Sequence, residues 1–114
     1  MPAIYKIIRA ADWSAARQSG VIPPAQVDIA DGYIHLSTED QVLDTARLHF
    51  AGHDDLVAVT FSAEDLGDSL KWEPSRGGAL FPHLYADLPT AKARGAQRLQ
   101  RLGDGSFAFG EDAS

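Results

Sequence analysis

Two short stretches of this chain concentrate the residue types that do chemistry. His35 lies in Asp31-Gly32-Tyr33-Ile34-His35-Leu36-Ser37-Thr38, and His83 lies in Phe81-Pro82-His83-Leu84-Tyr85. An imidazole donates, accepts, or, when protonated, pairs with phosphate. His35 ends a predicted strand just before a predicted helix N-terminus, where free backbone N–H groups and a partial positive charge can hold an anion. Ser37 and Thr38 add hydroxyl donors there. Taken singly, each histidine is as readily a core or cleft residue satisfied by a backbone carbonyl, and Ser37–Thr38 as readily a helix cap.

Other patterns carry less. His49 and His53 are four apart and precede Asp54-Asp55, a spacing that binds zinc on an unbroken helix. Gly52 falls between them and ends the helix, so no metal is expected. Gly103-Asp104-Gly105-Ser106-Phe107-Ala108 formally matches a dinucleotide fingerprint. It follows a predicted helix and precedes a strand, the reverse of the required context, so it reads as a hairpin turn. Lys92, Arg94, Arg98 and Arg101 form a basic segment whose three arginines share a face at helical spacing. This is a face for RNA or a phosphate-bearing partner, or simply a solvated surface.

The elements that must position these residues follow from periodicity and punctuation. Ile4–Ile8 is a β-branched first strand. Asp12 is positioned to cap a helix over Trp13–Ser19, closed by Gly20. Pro23-Pro24 predicts extended chain, Asp31-Gly32 a turn, and Tyr33–Leu36 a short strand. Thr38 with Gln41 fits a capping box for a helix running to about Phe50, with Val42, Ala46 and Phe50 on one face. Leu56–Phe61 is continuous and apolar, so a buried central strand is expected. Ser62–Leu66 reads as one helical turn and Leu70–Glu73 as a strand ended by Pro74. Leu80–Tyr85 is extended, with Pro82 predicting an edge position. Ala91–Leu102 is predicted to be partly helical, and Phe107 with Phe109 a last short strand.

The 114 residues, 45% hydrophobic and 23% charged, make one α+β domain of five to seven strands and two or three helices. Residues 1–109 form it, and the acidic tail 110–114 is expected to fray. There is no cysteine and no asparagine, which excludes disulfides, thiol catalysis, iron–sulfur clusters and N-glycosylation. Ten basic against sixteen acidic residues give −6, which argues against a general nucleic-acid or membrane-surface binder. The N-terminal apolar run is too short for a secretory signal, so a cytoplasmic protein is expected. The sequence does not fix its oligomeric state, and a monomer is favoured.

The blocks Asp31–Thr38, Trp72-Glu73 and Gly77-Gly78-Ala79-Leu80-Phe81-Pro82-His83-Leu84-Tyr85, behind an opening Ile4-Tyr5-Lys6-Ile7, resemble a family of small bacterial proteins of unassigned function. That family is grouped with the ADP-ribosyltransferase-like fold. The resemblance therefore implies a pair of small split antiparallel sheets around a nicotinamide-dinucleotide cleft, with NAD as the implied cofactor. In such relatives a first-strand His or Arg holds the dinucleotide, a second strand carries an aromatic or hydroxyl group, and a later strand carries a catalytic Glu. Here the first strand offers Tyr5, Lys6 and Arg9; the second offers Tyr33, His35, Ser37 and Thr38; the later one offers His83 and Tyr85, with Glu73 ten residues before His83. The standard His-Tyr-Glu pattern is not kept.

The resemblance implies Glu73 as the group that stabilises an oxocarbenium-like ribose as nicotinamide leaves. His35 and His83 would position and protonate. Lys6, Arg9, Tyr33, Ser37, Thr38 and Tyr85 would hold the cofactor. Two readings stand: an ADP-ribosyltransferase-like enzyme, or a non-catalytic module that keeps the cleft and holds a small phosphorylated or anionic ligand. A third, weaker one is metal-assisted hydrolysis by His35 and His83.

Overall fold

Strand β1 spans Ala3–Arg9 and pairs antiparallel along its whole length with β4, Leu56–Ser62, so that Lys6 lies opposite Val59. Both runs are predominantly apolar because the sheet they centre is covered on both faces. Ile4, Ile8, Val57, Val59 and Phe61 project into one core, and Tyr5, Ile7, Leu56 and Ala58 into the other. The computed structural model describes residues 2–114, with Arg76 described by its backbone alone.

The remaining elements are α1 (Ala10–Ser19), α2 (Gln26–Asp31), β2 (Ile34–His35), β3 (Ser37–Thr38), α3 (Glu39–His49), α4 (Ala63–Leu66), β5 (Leu70–Pro74), β6 (Leu80–Leu84), β7 (Gly95–Arg101) and β8 (Phe107–Asp112). Two antiparallel sheets result. One has the order β3-β1-β4-β7-β8, the other β2-β6-β5. Helix α3 covers one face of the large sheet through Val42 and Ala46. Helix α1, through Trp13 and Ala16, shares the opposite face with Ile34, Leu36 and Leu84 of the small-sheet region. The chain passes from one sheet to the other at Leu36, between the two-residue strands β2 and β3. The architecture is α+β in one domain, with eight strands and four α-helices among the described residues, more of each than expected.

Several expectations are corrected. Asp12 is not a cap: α1 begins at Ala10, whose N–H donates to the Asp55 carbonyl at 2.8 Å, and Asp12 sits within the first turn. A six-residue helix, α2, occupies chain expected to lack one. The Asp31-Gly32 turn is its C-terminus, with Gly32 at φ 84° and its N–H on the Asp28 carbonyl. Ala91–Leu102 is not helical beyond a single 3-10 turn over Thr90–Lys92. Gly95–Arg101 is a strand held between β4 and β8, so Arg94, Arg98 and Arg101 share no helical face. Its Ala, Gln, Arg and Leu residues are good helix formers, and sheet pairing overrides them. The tail is not frayed. Gly110–Asp112 belong to β8, the Ala113 N–H donates to the Ala96 carbonyl at 2.8 Å, and Trp13 Nε1 donates to the Ala113 carbonyl at 2.9 Å.

Pro82 lies in the central strand of the small sheet, not at an edge. The reason is local. Its carbonyl accepts from Leu36 N–H at 3.1 Å, so its nitrogen faces the same side, at the last rung of the short β2 pairing. The missing prolyl N–H therefore falls at the end of that ladder and interrupts nothing beyond it.

Candidate functional site

Alternation along the small sheet decides which side chains meet. His35 pairs directly with His83, and His83 with Lys71; Glu73 pairs with Phe81. Side chains of one parity on paired strands share a face. Tyr33, His35, Lys71, Glu73, His83 and Tyr85 therefore gather on one side, while Ile34 and Leu84 point into the core.

The rings form a contiguous cluster. Tyr33 stacks on His83 with centroids 4.1 Å apart and planes at 28°. It also lies 4.6 Å from His35 and 5.2 Å from Tyr85. His35 and His83 meet edge to face at 5.5 Å.

Each histidine is oriented by a carboxylate. His83 Nδ1 lies 2.8 Å from Glu73 Oε1, and the Tyr85 hydroxyl donates to the same oxygen at 2.7 Å. Those hydrogen bonds, from Tyr85 first and then His83, hold the Glu73 carboxyl below its ordinary range. An ionised carboxylate only accepts, so His83 carries its proton on Nδ1. The same bond pushes the Tyr85 phenol up to about 12. Burial, followed by the charges of Asp31 and Glu73, raises the Tyr33 phenol.

His35 is held twice. Nδ1 lies 2.7 Å from Asp28 Oδ1, and Nε2 lies 2.9 Å from Asp31 Oδ2. Both ring nitrogens therefore face carboxylate oxygens. Asp28 also accepts from the His35 backbone N–H at 3.0 Å, from Ala25 N–H at 2.8 Å and from Lys6 Nζ at 2.7 Å. Burial pushes the Asp28 carboxyl up, but the Lys6 charge and these donors outweigh it and hold it below the usual range. Burial likewise pulls the Lys6 ammonium down despite its partner.

The predicted residues thus divide. His35, His83, Glu73, Tyr33 and Tyr85 come together. Lys6 reaches the cluster from behind: it is 4% exposed, bound to Asp28 and to the His35 carbonyl, and has no surface to offer a ligand. Arg9 stands at the end of β1, paired with Asp55 at 2.8 Å. Ser37 is buried and donates to Thr45 Oγ1 at 3.2 Å, toward α3. Thr38 is the N-cap of α3, and its N–H donates to Gln41 Oε1 at 3.0 Å, the predicted capping partner. The His49–His53 pair is broken after α3 as expected: His53 N–H bonds the Phe50 carbonyl, and the rings of Phe50 and His53 meet at 6.2 Å. Among the described residues no three His, Asp or Glu side chains form a metal-binding group.

Asp28 and Asp31 were missed. The available signal was the Gly32 helix stop with Asp31 before it and Asp28 one turn earlier. A shallow, open surface depression lined by Lys71, Trp72, Glu73 and Tyr85 adjoins the cluster. It adds an aromatic face, a cation and a carboxylate. Such a set can grip a planar ring, orient a phosphate and stabilise positive charge.

A small two-sheet α+β domain presenting a carboxylate-oriented histidine pair defines the class. The chain belongs to the family described as protein of unknown function DUF952, whose model matches residues 7–96. It is similar to protein CC0527 of Caulobacter crescentus. The crystal structure of that protein is 44% identical, covers 93% of each chain and superposes with a TM-score of 0.88. Its solution NMR structure is 45% identical, covers 93% of this chain and 91% of that one, and gives a TM-score of 0.82. No match to a curated protein was found. No helix among the described residues is long and apolar enough to cross a membrane.

Proposed function

We propose that the domain is an ADP-ribosyltransferase-like enzyme that binds NAD, or a related phosphorylated nucleotide, against the small sheet and acts at the ribose–nicotinamide bond. One observation carries the reading. Glu73 is held ionised by Tyr85 and His83 at the rim of an open aromatic cleft. Both bonds fall on Oε1, and the side chain is 40% exposed, so Oε2 stays open to a ligand.

The chemistry suits those groups. Heterolysis sends the bonding pair to the nicotinamide nitrogen, which becomes neutral, and leaves positive charge on the ribose. A fixed carboxylate opposite that carbon stabilises the charge. Lys71 supplies the cation for a phosphate. The split into two antiparallel sheets and the family's blocks support the ADP-ribosyltransferase-like assignment. This reading takes the cytoplasm, where NAD is at hand, as the compartment.

A second reading is favoured by a specific observation. Both His35 nitrogens are engaged by carboxylates, which leaves that ring no free position for proton transfer. On this reading the domain is a non-catalytic module that holds a small anionic ligand in the same cleft.

The test is a thermal-shift titration with NAD, ADP-ribose and nucleotides, beside chromatographic assay of nicotinamide release, on wild type, His35→Ala and Glu73→Gln. Native-state binding at a hundredfold excess over Kd stabilises by about 2.7 kcal/mol. The enzyme reading expects a shift with NAD, lost in His35→Ala, and slow release lost in Glu73→Gln. Binding without release selects the module. Neither shift nor release with any nucleotide sinks the enzyme reading and leaves the module with an anionic ligand other than a nucleotide.

A further inference from the structure

We infer that the outer edge of β5 is a self-pairing surface, and that a second copy of this chain adds to it antiparallel, centred on Trp72. The inference is independent of any nucleotide. It rests on which backbone groups of β5 are already used.

Within the β5–β6 hairpin the odd-numbered residues bond inward. Tyr85 N–H donates to the Ser69 carbonyl at 2.9 Å, and Ser75 N–H donates to the Ala79 carbonyl at 2.9 Å. Trp72 lies opposite Pro82, whose carbonyl is turned to Leu36 on the other side, so that pair exchanges no bond. Because N–H and C=O of one strand residue point the same way, Leu70, Trp72 and the Pro74 carbonyl face outward. No strand among the described residues pairs with that side. An edge of this kind is a template for another strand.

The sequence of β5, Leu70-Lys71-Trp72-Glu73-Pro74, is complementary to itself about its centre. A two-fold axis at Trp72 makes it a hydrogen-bonded pair with its own copy. Lys71 then falls opposite the partner subunit's Glu73, and Glu73 opposite the partner subunit's Lys71. These are two opposite-charge pairs at the closest cross-strand spacing. Leu70 N–H meets the partner subunit's Pro74 carbonyl. Pro74 has no N–H to offer and ends the ladder there, which sets one register. The surface also carries apolar area that the monomer leaves wet: Trp72 is 40% exposed, and Leu80, opposite Pro74, is 53% exposed. The pairing brings a second ammonium to the cleft beside Glu73 and Tyr85, so the partner contributes to the candidate site.

The chain has no cysteine, so a single introduced thiol reports the geometry directly. Cα atoms of a hydrogen-bonded antiparallel pair are about 5.5 Å apart, inside the roughly 4.4–6.8 Å that a disulfide spans. Under a mild oxidant, Trp72→Cys is expected to form a covalent dimer quickly. Ile29→Cys, on the exposed side of α2, is the control and is expected to stay monomeric. Sedimentation velocity of the full wild-type chain over a hundredfold concentration range should show reversible dimerisation. Lys71→Glu, which sets like charges opposite each other twice, should weaken it roughly tenfold or more. A wild type that is monomeric throughout, together with Trp72→Cys oxidising no faster than Ile29→Cys, overturns the proposal. A wild-type dimer that Trp72→Cys fails to trap and Lys71→Glu fails to weaken overturns it equally.

Discussion

Lys6 and Asp28 form an ion pair of 2.7 Å in the interior, with side chains 5% and 1% exposed. Twenty-two residues apart in sequence, they tie the central strand β1 to the short helix α2. Asp28 in turn grips both the ring and the backbone of His35. The buried charged residue of β1, Lys6, is thus an anchor for the site, and the ligand face is built by the small sheet.

Removing one partner of a buried pair leaves the other charge unmet. Asp28→Asn is expected to cost about 3–5 kcal/mol in urea unfolding, and Lys6→Met a similar amount. The double variant should recover part of the loss, because it leaves no unpaired charge in the interior. Strictly additive costs in the double-mutant cycle would show that the two residues are not coupled.

The Asp28 carboxyl lies below its unfolded value, which fixes the sign of a pH effect. Its contribution is complete above the unfolded carboxylate pKa of about 3.9 and is lost as pH falls through the lower folded value. Unfolding free energy should therefore drop more steeply in acid for wild type than for Asp28→Asn. Parallel stability curves for the two below neutral pH would contradict this.

Tyr85 offers a spectroscopic readout. With its phenol pushed up to about 12 by Glu73, and those of Tyr33 and Tyr5 also raised, wild type should show little phenolate absorbance near the ordinary tyrosine midpoint of about 10. Glu73→Gln should bring one tyrosine down toward that value, and Tyr85→Phe should remove that component. An unchanged titration in Glu73→Gln would dissociate the two groups.

Gly32 closes α2 in the left-handed region, directly after Asp31. Nothing lies within 4 Å of where a Cβ would stand, so the cost of Gly32→Ala is conformational alone. It should be about 1–2 kcal/mol, with His35 ring resonances shifting as α2 loosens. A variant as stable as wild type would show that the helix end adapts freely.

How much of this is legible in sequence depends on the range of the signal. The strands β1 and β4, the helix α3 with its Thr38–Gln41 cap, and the Gly20 stop rest on residues within one or two turns of each other. Those local preferences survive in the fold. Helix α2 is only six residues long, too short for a periodic pattern, and β7 is composed of helix formers that become a strand because β4 and β8 lie on either side.

His35, His83, Glu73, Tyr33 and Tyr85 were legible as residue types in two dense blocks. Their meeting was not. The α+β class, the burial of the long apolar strands and the inventory of groups suited to chemistry follow from composition and short-range periodicity. Tertiary structure decided the register that sets His35 against His83, the burial of Lys6 on Asp28, and the clamp of Asp28 and Asp31 on His35. A shift of one residue in strand pairing would turn every side chain to the opposite face, and that register is set by contacts between distant segments.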